Sequence, residues 1–245
     1  MTWRSSDVSR RRVIRNRVVE ESFWAFLIDD LRPRAVSNVE FHHCHFQSWG
    51  FSKTTRVDRR ASIRNVLFRD CQQTGCSIGP AIIEEVTVDG LRTNGLLQCW
   101  GAAYRHVTFL GKLGRLMFSP LISPHPARAI WQPAFDEAND AFYRTVDWAI
   151  DIREAKFGEC DLRGIPASLV IRDSETQVVV KREKAMNGDW RSLPLSKTYW
   201  PTALEFFIDS GRNDIVLVAP KRSKNFRALL EGIELLRRED FAEPD

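Results

Sequence analysis

Residues 61–95 read ASIRNVLFRDCQQTGCSIGPAIIEEVTVDGLRTNG, and the expected fold depends on how that stretch is divided. In a frame of five, mostly small or β-branched residues stand at Ala61, Val66, Cys71, Cys76, Ala81, Val86 and Leu91. Two places further on come Ile63, Phe68, Gln73, Ile78, Ile83, Val88 and Thr93, mostly larger and apolar. Two places after those, turn-forming residues recur at Asn65, Asp70, Gly75, Pro80, Gly90 and Gly95. Alternation puts the two apolar members on one side of an extended chain. Asn, Asp and Gly tolerate the positive φ that a tight corner requires.

The frame extends in both directions. Upstream lie Val39/Phe41, Cys44/Phe46 and Trp49/Phe51. After a one-residue slip come Leu97/Cys99, Ala102/Tyr104 and Val107/Phe109, and after an interruption Ile150/Ile152, Ala155/Phe157 and Cys160/Leu162. Similar segments place valines at 39, 66, 86 and 107, at intervals of 27, 20 and 21. A 20-residue coil of four pentads would stack each side chain on its equivalent about 4.8 Å away. Such coils bury a core only by stacking. The run Ala155-Lys156-Phe157-Gly158-Glu159-Cys160-Asp161-Leu162-Arg163-Gly164 resembles the pentapeptide-repeat family. That resemblance implies a mainly β chain, a right-handed quadrilateral β-solenoid (a parallel β-helix); the helix and strand signals that follow it read as a C-terminal α-β-α capping segment.

On this reading residues 1–35 form an N-terminal arm and the start of the solenoid, 36–168 the solenoid with insertions at 52–60 and 112–147, and 169–245 the α/β cap. A helix is expected around Phe135–Arg144, and Thr176–Met186 forms a short helix or a strand. Pro201 and Gly211 bracket a further helix, Ile215–Val218 reads as a buried strand, and Ser223 caps a last helix carrying Phe226, Leu229, Leu230, Ile233 and Leu236.

Bulk composition excludes little. Hydrophobic content of 43% and charged content of 28% are those of a globular chain. The net charge of +4 is a small difference between 36 basic and 32 acidic residues, concentrated in residues 1–35 with eight Arg against five acids. No basic stripe runs along the rest, so nucleic acid is not the expected partner. An arginine arm that bound it would lose affinity steeply with salt. Five cysteines without CxxC spacing fit the inward positions of the frame and a reducing, cytoplasmic setting. No membrane span is expected.

The chemical motifs are weak. Gly75-Cys76-Ser77-Ile78-Gly79 matches GxSxG, but Ser77 falls at an outward position with no helix after it. His42, His43 and His45 flank the inward Cys44, and too few ligands accompany them for a zinc site. The acidic pairs Glu84-Glu85 and Asp29-Asp30 lack a second group for acid–base work, and Gly111-Lys112-Leu113-Gly114 is too short for a phosphate loop. His106 should stack on Glu85 at one corner.

No catalytic residue, metal or cofactor is therefore expected. The leading expectation is a non-enzymatic protein-protein interaction protein, in particular a bacterial immunity protein that neutralises a toxin. Its candidate partner-binding residues are His42, His43, His45, Arg59, Arg60, Trp131, Arg10, Arg11 and Arg12. The alternative is an enzyme or small-ligand-binding protein with a site between the solenoid and the C-terminal segment, near Tyr199, Trp200, Asp214 and Lys221. A deep, polar cleft there would favour that alternative, and a flush, apolar junction would sink it.

Overall fold

The computed structural model describes residues 13–25, 34–48 and 50–243. Its first part holds the strands β1 (Val13–Glu20), β2 (Phe23–Ala25), β3 (Ala35–His42), β4 (His45–Gln47), β5 (Gly50–Phe51), β6 (Ala61–Thr74), β7 (Ser77–Ile78), β8 (Ala81–Trp100) and β9 (Ala103–Ser119). Helix α1 (Arg128–Tyr143) follows, then β10 (Ile150–Asp151), β11 (Ala155–Lys156), β12 (Glu159–Leu162) and β13 (Val170–Ile171). The last third comprises β14 (Gln177–Lys181), α2 (Arg182–Asn187), α3 (Trp200–Asp209), β15 (Asp214–Val218) and α4 (Phe226–Arg238).

This is a mixed α/β fold, and it corrects the expectation of a right-handed quadrilateral β-solenoid of pentapeptide-repeat type with a small cap. Strands of 14, 20 and 17 residues make up β6, β8 and β9. A 16-residue helix stands between β9 and β10, and three more helices accompany a separate antiparallel strand pair. The physical reason for the difference is that a five-residue period reports where a strand bends and which side chains it buries. That local rule does not determine how many helices interleave with the strands or what packs beyond them. The functional expectation built on the solenoid, a toxin-neutralising immunity protein, loses its scaffold with it.

The local rule itself has clear structural counterparts. Parallel pairing sets Val39 beside Val66, Val66 beside Val86, Val86 beside Val107, Val107 beside Ile150, and Ile150 beside Val170. All six are buried, as are the five cysteines, which are free thiols. Phe41 and Phe68 stack with ring centroids 5.1 Å apart. Positive φ occurs at Asn38, Asn65, Asp70, Gly75, Gly90, Gly95 and Gly111, so the strands turn where the sequence places turn-formers. Asn65 Nδ2 donates to Asn38 Oδ1 at 2.9 Å, and Asn38 Nδ2 to Asn16 Oδ1 at 3.0 Å. These side chains bond along a column of corners, where left-handed backbone would otherwise be costly.

Several boundaries differ from expectation. Residues 112–119 continue β9, with Leu113, Leu116 and Phe118 buried, so the excursion begins at Pro120 rather than at residue 112. Helix α1 starts at Arg128 and contains Pro133, where the expected helix began after it. Residues 176–186 supply both a strand and most of a helix. The Ser223 hydroxyl accepts from the Asn225 amide at 3.2 Å, one residue before α4, and does not cap the helix. Among the described residues no helix is long and apolar enough to cross a membrane.

The β14–β15 ribbon joins two hydrophobic clusters. Val179, Val216 and Val218 belong to the cluster of the parallel strands, whereas Val178, Val180, Ile215 and Leu217 belong to a second cluster with α3 and α4. Alternation along the two strands sends successive side chains to opposite faces. Both faces are apolar, which produces an uninterrupted hydrophobic run rather than an alternating one.

Gly79 illustrates a close approach that composition alone does not reveal. Its amide donates to the Phe51 carbonyl at 2.7 Å, and a Cβ there would collide with the backbone carbonyl of Ser52. Gly75, at φ +62°, has open space around it. Gly79→Ala is expected to lower stability by about 1–3 kcal/mol through overpacking, and Gly75→Ala by about 1 kcal/mol through left-handed strain. Urea unfolding midpoints check the order; equal midpoints would contradict the close approach.

Candidate functional site

Helix α1 carries Asp136 and Asp140 one turn apart, so both carboxylates lie on the same face. The helix is seated by buried Phe135, Asn139 and Tyr143. Gln132 fixes its approach: Nε2 donates to the Pro120 carbonyl at 3.1 Å and to Asp136 Oδ1 at 3.0 Å, while Oε1 accepts from the Ile122 amide at 2.9 Å.

Across from α1 runs the turn between α3 and β15. Gly211, at φ +72°, lets the chain reverse directly after α3. Arg212 then reaches α1, with Nη1 2.9 Å from Asp140 Oδ1 and Nη2 3.1 Å from Asp136 Oδ1. Asp214 accepts from the Ala167 amide at 3.0 Å and lies 3.6 Å from Lys181 Nζ. Around this bridge the surface opens into two cavities. One of about 540 Å³ is lined by Asp140, Tyr143, Arg144, residues 164–166, Ser168, Leu169 and residues 211–214. The other, of about 580 Å³, is lined by residues 119–121, Asp136, Asp140, Arg163, Gly164, Phe206, Phe207, residues 209–212, Asp214 and Ile215. They share Asp140, Gly164, Gly211, Arg212 and Asp214, so Arg212 forms a crossbar between two arms of one cleft.

Arg163 and Phe206 form a second feature of the cleft wall. Asp161 holds the Arg163 guanidinium through both carboxylate oxygens, and the guanidinium lies 5.2 Å from the Phe206 ring centroid. The Asp161 hydrogen bond raises the Arg163 pKa further, so its charge is permanent. Phe206 remains 54% exposed, which is unusual for a phenylalanine on an amphipathic helix. It also borders a smaller cavity of about 190 Å³ beside Tyr199 and β12.

The residues expected to bind a partner are dispersed. His43 is exposed, His42 Nε2 lies 2.9 Å from Glu40, and His45 Nε2 lies 3.0 Å from the Thr74 hydroxyl. No group of three or more His, Cys, Asp or Glu side chains among the described residues could hold a metal. Trp131 sits within α1, partly buried, 4.8 Å from the His125 ring. Arg59 is half-buried in a 3-10 turn at Val57–Arg59. Arg60 points inward and donates from Nη1 to Asn139 Oδ1 at 2.7 Å, with burial lowering its pKa. Arg10, Arg11 and Arg12 lie outside the described residues.

Of the residues placed at the C-terminal junction, only Asp214 lines the large cleft. Tyr199 donates to the Val218 carbonyl at 3.2 Å, Trp200 is buried with Nε1 donating to the Leu229 carbonyl at 3.1 Å, and Lys221 pairs with Asp173 at 2.8 Å. Ser77 lies in β7, paired with Gly50 and Gln98, with no helix behind it. Asp136, Asp140, Arg163, Phe206, Asp209 and Arg212 went unread in the sequence. The acidic pair at helical spacing and the Gly211-Arg212 turn were the available signals.

His106 forms the other conspicuous polar cluster. Nδ1 lies 2.6 Å from Glu85, Nε2 lies 2.6 Å from Asp147, and the ring stacks 4.6 Å from Trp148. With a carboxylate on each nitrogen the protonated imidazole is favoured, and neither nitrogen is free to act as a base. The hydrogen bond to Asp147 raises its pKa most, and Glu85 adds to this against partial desolvation. Neighbouring Glu84 receives Arg64 Nε at 2.9 Å and Arg105 Nη1 at 3.2 Å. The cluster fastens the segment after α1 to the sheet.

Comparison with protein-family models, with curated proteins and with solved structures returns no match for this chain.

Two expectations follow from these contacts. Arg60→Ala leaves the buried Asn139 carbonyl unpaired and should cost about 1–3 kcal/mol, measured by denaturant unfolding; a near-neutral result would return Arg60 to the surface. His106 is more basic folded than unfolded, so its stabilisation is fully present below an unfolded pKa of about 6.5 and is lost as pH rises through the higher folded value. The unfolding midpoint should therefore fall as pH rises across that window in the native chain, and this component should vanish in His106→Gln.

Proposed function

We propose that this chain is a small-molecule-binding protein whose site is the cleft spanned by Arg212. The observation that carries the reading is the cleft itself. Each arm, at about 540 and 580 Å³, falls within the range of roughly 300–1,000 Å³ in which ligand sites occur. It opens where α1, the 164–169 segment and the α3–β15 turn converge, and its wall mixes apolar with charged groups. Clefts at such junctions are the usual location for ligand sites.

A binding role is preferred to a catalytic one because the polar groups already act as fasteners. Arg212 is committed to Asp136 and Asp140, and Asp214 to the Ala167 amide. His106 is clamped from both sides by carboxylates. Arg212 supplies a crossbar that a bound molecule would lie against.

Ser210 is exposed and lines the larger arm, so Ser210→Trp should fill it without disturbing either hydrophobic cluster. A chemically diverse small-molecule library screened by ligand-observed NMR should yield binders to the native chain that fail with Ser210→Trp. Absence of binders, or binders indifferent to the folded variant, would overturn the reading.

A further inference from the structure

We infer that the larger arm of the cleft selects an organic cation with a flat, apolar body. The inference rests on the binding reading above and deepens it by naming the ligand's chemical class.

Charge comes first. Asp136, Asp140, Asp209 and Asp214 line this arm against Arg163 and Arg212. The two guanidiniums have little left to offer an anion. Arg212 is held by Asp136 and Asp140, and Arg163 by both oxygens of Asp161, which lies outside the lining. Asp209 is the exposed last residue of α3 and lies at its C-terminal end. The aligned peptide dipoles place partial negative charge there. The Arg182 guanidinium, donating to the Ile208 carbonyl at 2.5 Å, answers part of the helix end, and the exposed Asp209 carboxylate is left to favour a cation. Lys181, 3.6 Å from Asp214, offsets only part of this field.

The shape of the ligand follows from Phe206. Its ring is 54% exposed on the same wall, four residues before Ser210. Arg163 lies over the ring without covering it, and Pro120, Leu121 and Ile215 extend the apolar surface. An aromatic wall with carboxylates at its rim suits an aryl or heteroaryl amine. The ring would stack offset or edge-on against Phe206, and the ammonium would lie toward Asp209. A bare inorganic cation would leave that apolar wall unused. An anion would be repelled by the exposed Asp209 carboxylate on this wall.

Three probes with one body test this at neutral pH: tryptamine as the cation, 3-ethylindole as the neutral form and indole-3-propionate as the anion. By calorimetry or ligand-observed NMR, tryptamine should bind at least tenfold more tightly than either of the others. Asp209→Asn should reduce tryptamine binding at least fivefold. Phe206→Ala should weaken all three and preserve their order. Both side chains are exposed, so both variants should retain the native circular dichroism. If the anion or neutral form binds as well as tryptamine and Ser210→Trp blocks it, the charge assignment fails and the binding reading stands. Tryptamine binding undiminished in Asp209→Asn also overturns the inference. If no probe and no library compound binds in a Ser210-dependent way, both readings fall.

Discussion

Register is the constraint on which this molecule depends. The central strands β3, β6, β8 and β9 each pair with a parallel neighbour on both sides, and their inward side chains are buried only if equivalent positions align. A slip of one residue would turn every inward side chain outward. The column from Val39 through Val66, Val86 and Val107 to Ile150 and Val170 satisfies this across connections of unequal length. The 52–60 loop absorbs the seven extra residues between Val39 and Val66, and the excursion holding α1 absorbs a larger excess between Val107 and Ile150. Insertions are tolerated because they leave at corners, where the chain already turns.

The second organising feature is the β14–β15 ribbon, apolar on both faces. One face closes the cluster of the parallel strands and the other nucleates the cluster of α3 and α4. Backbone hydrogen bonds between Gln177–Lys181 and Asp214–Val218 hold the pair in antiparallel register. The ribbon therefore fixes where the α3–β15 turn emerges, and so where Arg212 can meet α1. Individually these exposed ion pairs contribute little, roughly 0–1 kcal/mol each. Position, set by burial, does most of the work, and electrostatics selects what the resulting cleft attracts.

Legibility in the sequence followed the range of the interaction. Burial of Cys44, Cys71, Cys76, Cys99 and Cys160, and left-handed backbone at Asn65 and Gly90, are local consequences of a five-residue pattern. The pairing of His106 with Glu85 could be read because a constant interval predicts the neighbour. The global architecture could not, because the same pattern says nothing about helices inserted between strands. The cleft was less legible still. Arg212 meets its partners across 72 and 76 residues, with no periodicity linking them. Residues 178–180 are three consecutive valines, so their two-faced burial left no alternation to read. The histidines around Cys44 stood out by composition, yet each one with a described partner is used by its own neighbourhood.

That separation of 72 residues between Asp140 and Arg212 has a temporal meaning as well as a spatial one. The chain is synthesised from its N-terminus at about 5–20 residues per second. By that rate α1 precedes its arginine by about 4–14 seconds. During the interval the parallel strands can assemble on the growing chain, with one end still awaiting Val179, Val216 and Val218. The cleft thus comes into being late in synthesis, with only β15 and α4 still to follow its arginine. Ribosome stalling between α1 and β15 would leave a folded stack with a bare apolar end and no site, a species for chaperones to recognise rather than for ligands.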